Sequence, residues 1–229
     1  MEKYKKEMLP YLRRKFNQVE KIDVGYGDLL QDIFVLSVLD GKEHGTYLEI
    51  GGAEPIWMSN SYILEKDFGW TGISVEIEYG KVMHFNSARK NQCIWRNALH
   101  INYSDLLKKC EYEPVIDYLS LDIEPPENTF AALTSLPHNE FKFRVITFEH
   151  DVYTGGLGPE VRVESRKYLA GLGYVMVVND VAIQGKSVED WYVHPDYVSG
   201  DIIEKFSSIK QENNEYYDYF LDSCPFVNN

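Results

Sequence analysis

Short apolar runs in this chain carry acidic residues near their C-terminal ends, and carboxylates take protons, hold cations and grip hydroxyls. The first run passes into a glycine turn, Tyr47-Leu48-Glu49-Ile50-Gly51-Gly52-Ala53-Glu54-Pro55. Glycine at a strand–helix junction lets the backbone come close to a ligand. The turn lacks the third glycine of a pyrophosphate cradle, so it is equally a tight turn with two incidental glycines. The next run ends Ser74-Val75-Glu76-Ile77-Glu78, and Glu76 stands 25 residues after Gly51. An acid at that distance and at a strand tip accepts hydrogen bonds from ribose hydroxyls. Together these two features point to a nucleoside-bearing ligand, against the alternative of a solvated acid. Asn97 follows the third run, where it would meet a base edge or simply make a turn.

The fourth run delivers Asp122 and Glu124, and alternation puts both on one side. The fifth ends Glu149-His150-Asp151. Histidine is suited to accept a proton near neutrality, so His150 and Asp122 are the candidate catalytic pair. Asp122, Glu149 and Asp151 are alternatively an oxygen site for magnesium or another divalent cation. The aromatic, charged segment Glu189-Asp190-Trp191-Tyr192-Val193-His194 reads as an edge strand with a core Trp, or as a substrate wall. The loop Tyr153–Gly158 has three glycines and suits a lid.

The elements that must position these residues alternate. Apolar runs at Tyr47–Ile50, Gly72–Ile77, Cys93–Trp95, Ile116–Leu121, Phe143–Phe148 and Tyr174–Val178 are separated by segments with helical character: Asn60–Phe68, Tyr79–Asn91, Tyr103–Lys109, Thr129–Leu136 and Pro159–Leu172. That pattern predicts βαβ units around a parallel sheet, with Trp191–Val193 returning antiparallel. Helices are expected over Met1–Val19, which carries the basic cluster Arg13-Arg14-Lys15, over Leu29–Leu39, and over Ile202–Ile209; Lys210–Asp218 reads as exposed. The organisation expected is one domain over 1–229: a helical segment 1–45, a ligand-binding core 46–195, and a C-terminal helix and tail 196–229.

Composition narrows the functions. The chain has 229 residues, 44% hydrophobic and 26% charged, which excludes a disordered or fibrous chain. Its net charge of −13, from 23 basic and 36 acidic residues, disfavours nucleic acid and anionic membranes as partners. No apolar run spans a membrane and no signal peptide is legible, so a cytoplasmic protein is expected. Cys93, Cys110 and Cys224 form no metal or disulfide spacing. A homo-oligomer is compatible with all of this.

With these residues in hand, the segment from Gly27 to Pro195 resembles the FkbM-type methyltransferases, a branch of the class I S-adenosylmethionine (SAM) enzymes. The resemblance is carried by Asp28-Leu29-Leu30-Gln31-Asp32, Tyr47–Gly51, Ser59-Asn60-Ser61, Leu64-Glu65, Gly69–Glu76, Arg89, Asn97-Ala98, Asp117–Glu124 and Glu127. Two positions depart from the family pattern: Pro55 stands where another glycine is common, and Pro125 stands where the family often has glycine. The resemblance implies a Rossmann-like α/β fold, with a mostly parallel seven-stranded sheet, helices on both faces and an antiparallel last strand. It implies SAM as cofactor, with Glu49 and Gly51 at its methionine end, Gly52 also among the cofactor-binding residues, Ser59 and Asn60 near its carboxylate, Glu76 on the ribose and Asn97 by the adenine. Asp122 would face the sulfonium and the acceptor. The family acts mostly on hydroxyls of sugars, polyketides and related metabolites, so a small-molecule or glycan hydroxyl is the expected acceptor. The other readings are methylation of nitrogen, an NAD-type dehydrogenase using Glu76, and a SAM-fold scaffold without catalysis.

Overall fold

The computed structural model describes residues 16–22 and 24–208. The expected N-terminal helix with its basic cluster, Cys224 and the polar stretch 210–218 lie outside the described residues, apart from Phe16 to Val19. Those residues lead into a 3-10 turn at Val19–Lys21.

Seven strands form one sheet: β1 (Thr46–Ile50), β2 (Thr71–Glu76), β3 (Gln92–Trp95), β4 (Val115–Leu121), β5 (Lys142–Glu149), β6 (Val175–Ile183) and β7 (Lys186–Val193). Their order is β3-β2-β1-β4-β5-β7-β6. β1 pairs in parallel with β2 and β4, and β4 with β5, while β7 runs antiparallel to both β5 and β6. The helices are α1 (Gln31–Val38), α2 (Tyr62–Phe68), α3 (Tyr79–Ala88), α4 (Tyr103–Lys109), α5 (Pro126–Ser135), α6 (Gly158–Gly171) and α7 (Gly200–Ser207). The Rossmann-like fold expected from the sequence is the fold observed.

The strands are apolar on both sides because two cores flank them. One face packs Tyr47, Tyr118, Val145, Trp191 and Val193 against α1, α2 and α7. The other packs Leu48, Leu119, Ile146, Phe148 and Tyr192 against α4, α5 and α6. Successive strand residues point to opposite faces. The parity of a residue at a strand tip therefore decides which side of the sheet its side chain joins.

One expected element changes place. Trp191–Val193 is the C-terminal part of β7, which lies inside the sheet between β5 and β6 rather than at its edge. The reason is the tight hairpin at Gln184-Gly185, where both residues have positive φ (54° and 73°). A turn of that kind matches the twist of paired strands. It folds β7 back beside β6, and β7's other side then fills the slot next to β5. Trp191 is fully buried and stacks on Phe34 at 4.5 Å, which is the core role expected of it.

Candidate functional site

The chain leaves β1 toward β2 and β3 on one side and returns through β4 and β5 on the other. The C-terminal tips of β1 and β4 thus flank the point where the order reverses, where ligands of open α/β sheets bind. Gly51 sits there with φ 99°, and a Cβ on it would stand 1.7 Å from the Asp122 carbonyl oxygen. Only glycine lets the β1 turn pass this close to β4. The amides of Gly51 and Gly52 both donate to the Val75 carbonyl, which ties the turn to β2.

Beyond the turn lies a cleft of roughly 80 Å³ lined by Gly51, Glu76, Ile77, Asn97, Leu99 and Ile123, among others. It spans the tips of β1 to β4, so Glu76, Asn97 and the residue after Asp122 share one opening. Glu76 accepts the Glu78 amide at 2.8 Å, which holds its carboxylate at the rim. Asn97 both lines the cleft and caps the following turn, accepting the Leu99 amide at 2.9 Å. A larger depression of about 520 Å³, lined by Lys42, Arg144 and Tyr197, lies at the opposite end of the strands, away from these residues.

Glu49 is buried and accepts hydrogen bonds from the Ser61 and Ser74 hydroxyls at 2.9 and 2.5 Å. Burial raises its pKa, against the pull of the Arg89 charge. Arg89 binds the β1–α2 loop together: it donates to Glu65 (2.8 Å), the Pro55 carbonyl (2.9 Å), Ser59 (3.2 Å) and Ser61 (3.2 Å). The structure therefore makes Ser59 a partner of Arg89, inside the loop. Asn60 is different. Its amide group donates to Ser120 at 3.0 Å, while its Oδ1 is buried with no hydrogen-bond partner. That acceptor lies beside the backbone of Gly27, at the approach to α1. A buried acceptor left unmatched beside the reversal point fits a ligand donor such as an ammonium.

The acids after β4 and β5 form a row. Ser120 pairs with Thr147 and Leu121 with Phe148; continuing that register sets Asp122 opposite Glu149. Glu149 in turn pairs with Glu189 on β7. Glu189, expected only as part of an edge strand or substrate wall, shares the parity of Trp191 and Val193 and so joins the face of Glu149. Asp122 is ringed by protein yet open to solvent at the β4 tip. Desolvation pushes its carboxyl up, the hydrogen bond with Glu149 pulls it back, and the charges of Asp151, Glu124 and Asp28 push it up again. Burial, then the Asp122 and Asp151 carboxylates, hold Glu149 well above the usual carboxylate range. The hydrogen bond between the two carboxyls favours the charged form of Asp122 and the neutral form of Glu149. Glu189 is pushed up to about 8 by burial, with the Trp191 and Gln31 hydrogen bonds pulling against the charges of Asp122 and Asp190.

His150 does not join this row. It follows Glu149, so its ring points to the other face, toward α6. It is fully buried; its Nδ1 accepts the Val152 amide at 3.3 Å, and its Nε2 lies 3.6 Å from Asp190 and 3.8 Å from Asp180. Both acids are held by arginines: Arg166 makes two 2.8 Å hydrogen bonds to Asp190, and Arg162 one of 2.8 Å to Asp180. The place expected for His150, as a base beside Asp122, is not the place the fold gives it.

The metal expectation meets the same test. Among the described residues, the trio offering ligand atoms all within 4.8 Å of one another is His150, Asp180 and Asp190, and the arginines already neutralise it. Asp122, Glu149 and Asp151 do not form such a trio, so their oxygens do not fit one small divalent ion, whose ligands crowd within about 2–2.6 Å of it.

No protein-family model matches the sequence, and no curated protein matches it. Solved structures do match the fold. An O-methyltransferase, so described without proof of activity, from Klebsiella pneumoniae superposes with a TM-score of 0.51 at 11% identity, covering 83% of this chain and 86% of that one. The METTL16 methyltransferase domain gives 0.51 at 13% identity, covering 79% and 72%. A chain of a fibrillarin/Nop5p complex gives 0.50 at 14%, covering 73% and 81%. The fold is that of the Rossmann-like class I SAM-dependent methyltransferases. No helix among the described residues is long and apolar enough to cross a membrane.

Proposed function

We propose that this chain is a SAM-dependent O-methyltransferase, of the FkbM type that its motifs resemble, acting on a hydroxyl of a sugar, glycan or glycosylated small molecule. One observation carries the reading: Gly51, which lines the cleft holding Glu76 and Asn97, packs against the Asp122 backbone, where the carboxyl row begins. When bound, SAM supplies a methyl already activated on a sulfonium. Glu76 takes the ribose hydroxyls, Asn97 and Ile77 flank the base, and Asn60 Oδ1 takes the amino group of the methionine end. Glu49 stays within the protein and holds Ser61 and Ser74 in place, while Gly52 keeps the turn narrow. Ser59 acts through Arg89.

The acceptor hydroxyl must lose its proton as its oxygen attacks. The Asp122–Glu149 pair is the proton acceptor in this reading, because its affinity for a proton is raised and Asp122 is open to solvent. Bound SAM would supply the methyl and leave as the thioether, and the hydroxyl proton would pass to the carboxyl pair. Orientation of the two reactants supplies much of the remaining acceleration. The acidic cleft repels polyanions, which favours a small or glycan acceptor over nucleic acid. Because the spacing of Asp122, Glu149 and Asp151 is unsuited to a divalent ion, turnover is expected to survive EDTA.

Calorimetric titration with SAM, S-adenosylhomocysteine and NAD tests the reading. SAM and S-adenosylhomocysteine should bind, and Glu76→Ala should weaken both by about 10–100-fold, the loss of one or two good hydrogen bonds to a charged group. Binding of NAD alone would reject the proposal.

A further inference from the structure

Trp95 ends β3, the outermost strand on its side of the sheet, with half of its surface exposed. The ring nevertheless has two specific partners. Its indole Nε1 donates to the Ile77 carbonyl at 2.9 Å, and Tyr79, the first residue of α3, meets it edge-on at 4.9 Å between ring centroids. The Ile77 carbonyl belongs to the same peptide unit as the Glu78 amide. That unit is planar, so its C=O and N–H point in opposite directions and turn together. The Glu78 amide is the donor that holds the Glu76 carboxylate at the rim of the cleft. Trp95 therefore grips one end of a rigid unit whose other end is aimed at Glu76. The flank is fixed as well: Glu76 and Trp95 are register partners, and the Arg96 amide donates to the Glu76 carbonyl at 3.1 Å. Glu76 and Ile77 line the cleft, whereas Trp95 stands behind them, along a separate depression with Ile94 and Arg96.

The indole hydrogen bond lies in exposed surroundings, where water replaces a lost donor, so it adds little to folding. Its consequence is for position. A turn already held in the shape that a ligand needs gives up less freedom when the ligand arrives. We propose that Trp95 is a positioning residue of the cofactor cleft: it orients the Ile77–Glu78 peptide so that Glu76 presents its carboxylate to the ribose hydroxyls. The inference rests on the methyltransferase reading for its ligand and on the contacts of Trp95 alone for the relay.

Trp95→Phe keeps an aromatic ring against Tyr79 and removes the N–H donor. Two measurements on the full chain test the relay. In hydrogen exchange without ligand, the Glu78 amide should exchange at least about fivefold faster in Trp95→Phe than in the parent chain. In calorimetry, S-adenosylhomocysteine is titrated into the parent chain, Trp95→Phe, Glu76→Ala and the double variant. Trp95→Phe should weaken binding by about 3–10-fold on its own, but by less than about twofold where Glu76 is already alanine, since no carboxylate is left to aim. Its melting temperature should stay within about 2 °C of the parent's. Unchanged exchange at Glu78, unchanged affinity, or a loss of the same size in both backgrounds overturns the proposal. A loss of that last kind marks the ring as a support of the fold. Failure of S-adenosylhomocysteine to bind the parent chain while the Glu78 amide responds would instead reject the methyltransferase reading and leave the relay standing.

Discussion

Glu189 and Asp190 are consecutive residues of β7, both buried, and their carboxyls titrate on opposite sides of the ordinary range. Glu189 is pushed up to about 8. Burial raises Asp190 as well, but the hydrogen bonds of Arg166, with His150 alongside, more than offset it and hold Asp190 at about 2. The two side chains point to opposite faces of the sheet. On one face α6 supplies arginines, and the acids become part of the scaffold. On the other the approach to α1 supplies Gln31 and Asp28, and among the described residues no arginine or lysine pairs with Asp122, Glu149 or Glu189. The difference teaches that acid density alone does not mark a site; the missing counter-charge does.

Removing the counter-charge from the scaffold side should have the largest effect. Arg166→Leu leaves Asp190 buried and uncompensated, at a cost of about 3–5 kcal/mol in denaturant unfolding. Adding Asp190→Asn should recover a large part of that loss; if it does not, the pair is not what stabilises this face. On the cleft side the sign reverses. Glu149→Gln should leave stability unchanged or raise it by up to about 1 kcal/mol, because a buried carboxyl beside the Asp122 and Asp151 charges is gone. The same change should lower kcat by about 10²–10⁴ with any accepted glycoside, as loss of the proton acceptor demands. Full activity in that variant would remove the carboxyl pair from the chemistry.

The two carboxyls also predict opposite slopes of stability with pH. Glu189 binds its proton more tightly when folded, so it favours the folded state fully below its unfolded pKa. That contribution is lost as pH rises from about 4.5 to about 8. Asp190 binds its proton less tightly when folded, so its contribution is present above about 4 and is lost as pH falls toward about 2. Denaturation midpoints measured across both windows should show the two trends, and Glu189→Gln should flatten only the upper one. The smallest effect is expected at His150. His150→Asn should cost about 1 kcal/mol of stability, as one modest hydrogen bond is lost, and change kcat by less than about threefold. A hundredfold fall in kcat with stability intact would show the histidine serving the cleft after all.

His150 shows where sequence reading stops. A histidine between two acids at a strand tip is the right chemistry, but position along the chain does not say which face a residue joins. The alternation of Val145, Thr147 and Glu149 against Ile146, Phe148 and His150 was present in the sequence. What it lacked was the identity of each face, which depends on where the helices pack. Glu189 was hidden for the same reason. It becomes a neighbour of Glu149 only because β7 inserts beside β5, a pairing between segments 40 residues apart. Ser59 reads as a ligand contact until Arg89, from the end of α3, is seen to claim it.

Strand and helix placement, the glycine turn after β1 and the acids at the tips of β2 and β4 were legible because each depends on local backbone preference and short-range periodicity. Strand order, the place of β7 and the division of acids into paired and unpaired sets belong to the tertiary structure alone. Those depend on which distant segments meet across the sheet, and only the packed chain decides where an arginine ends up beside a carboxylate and where none does.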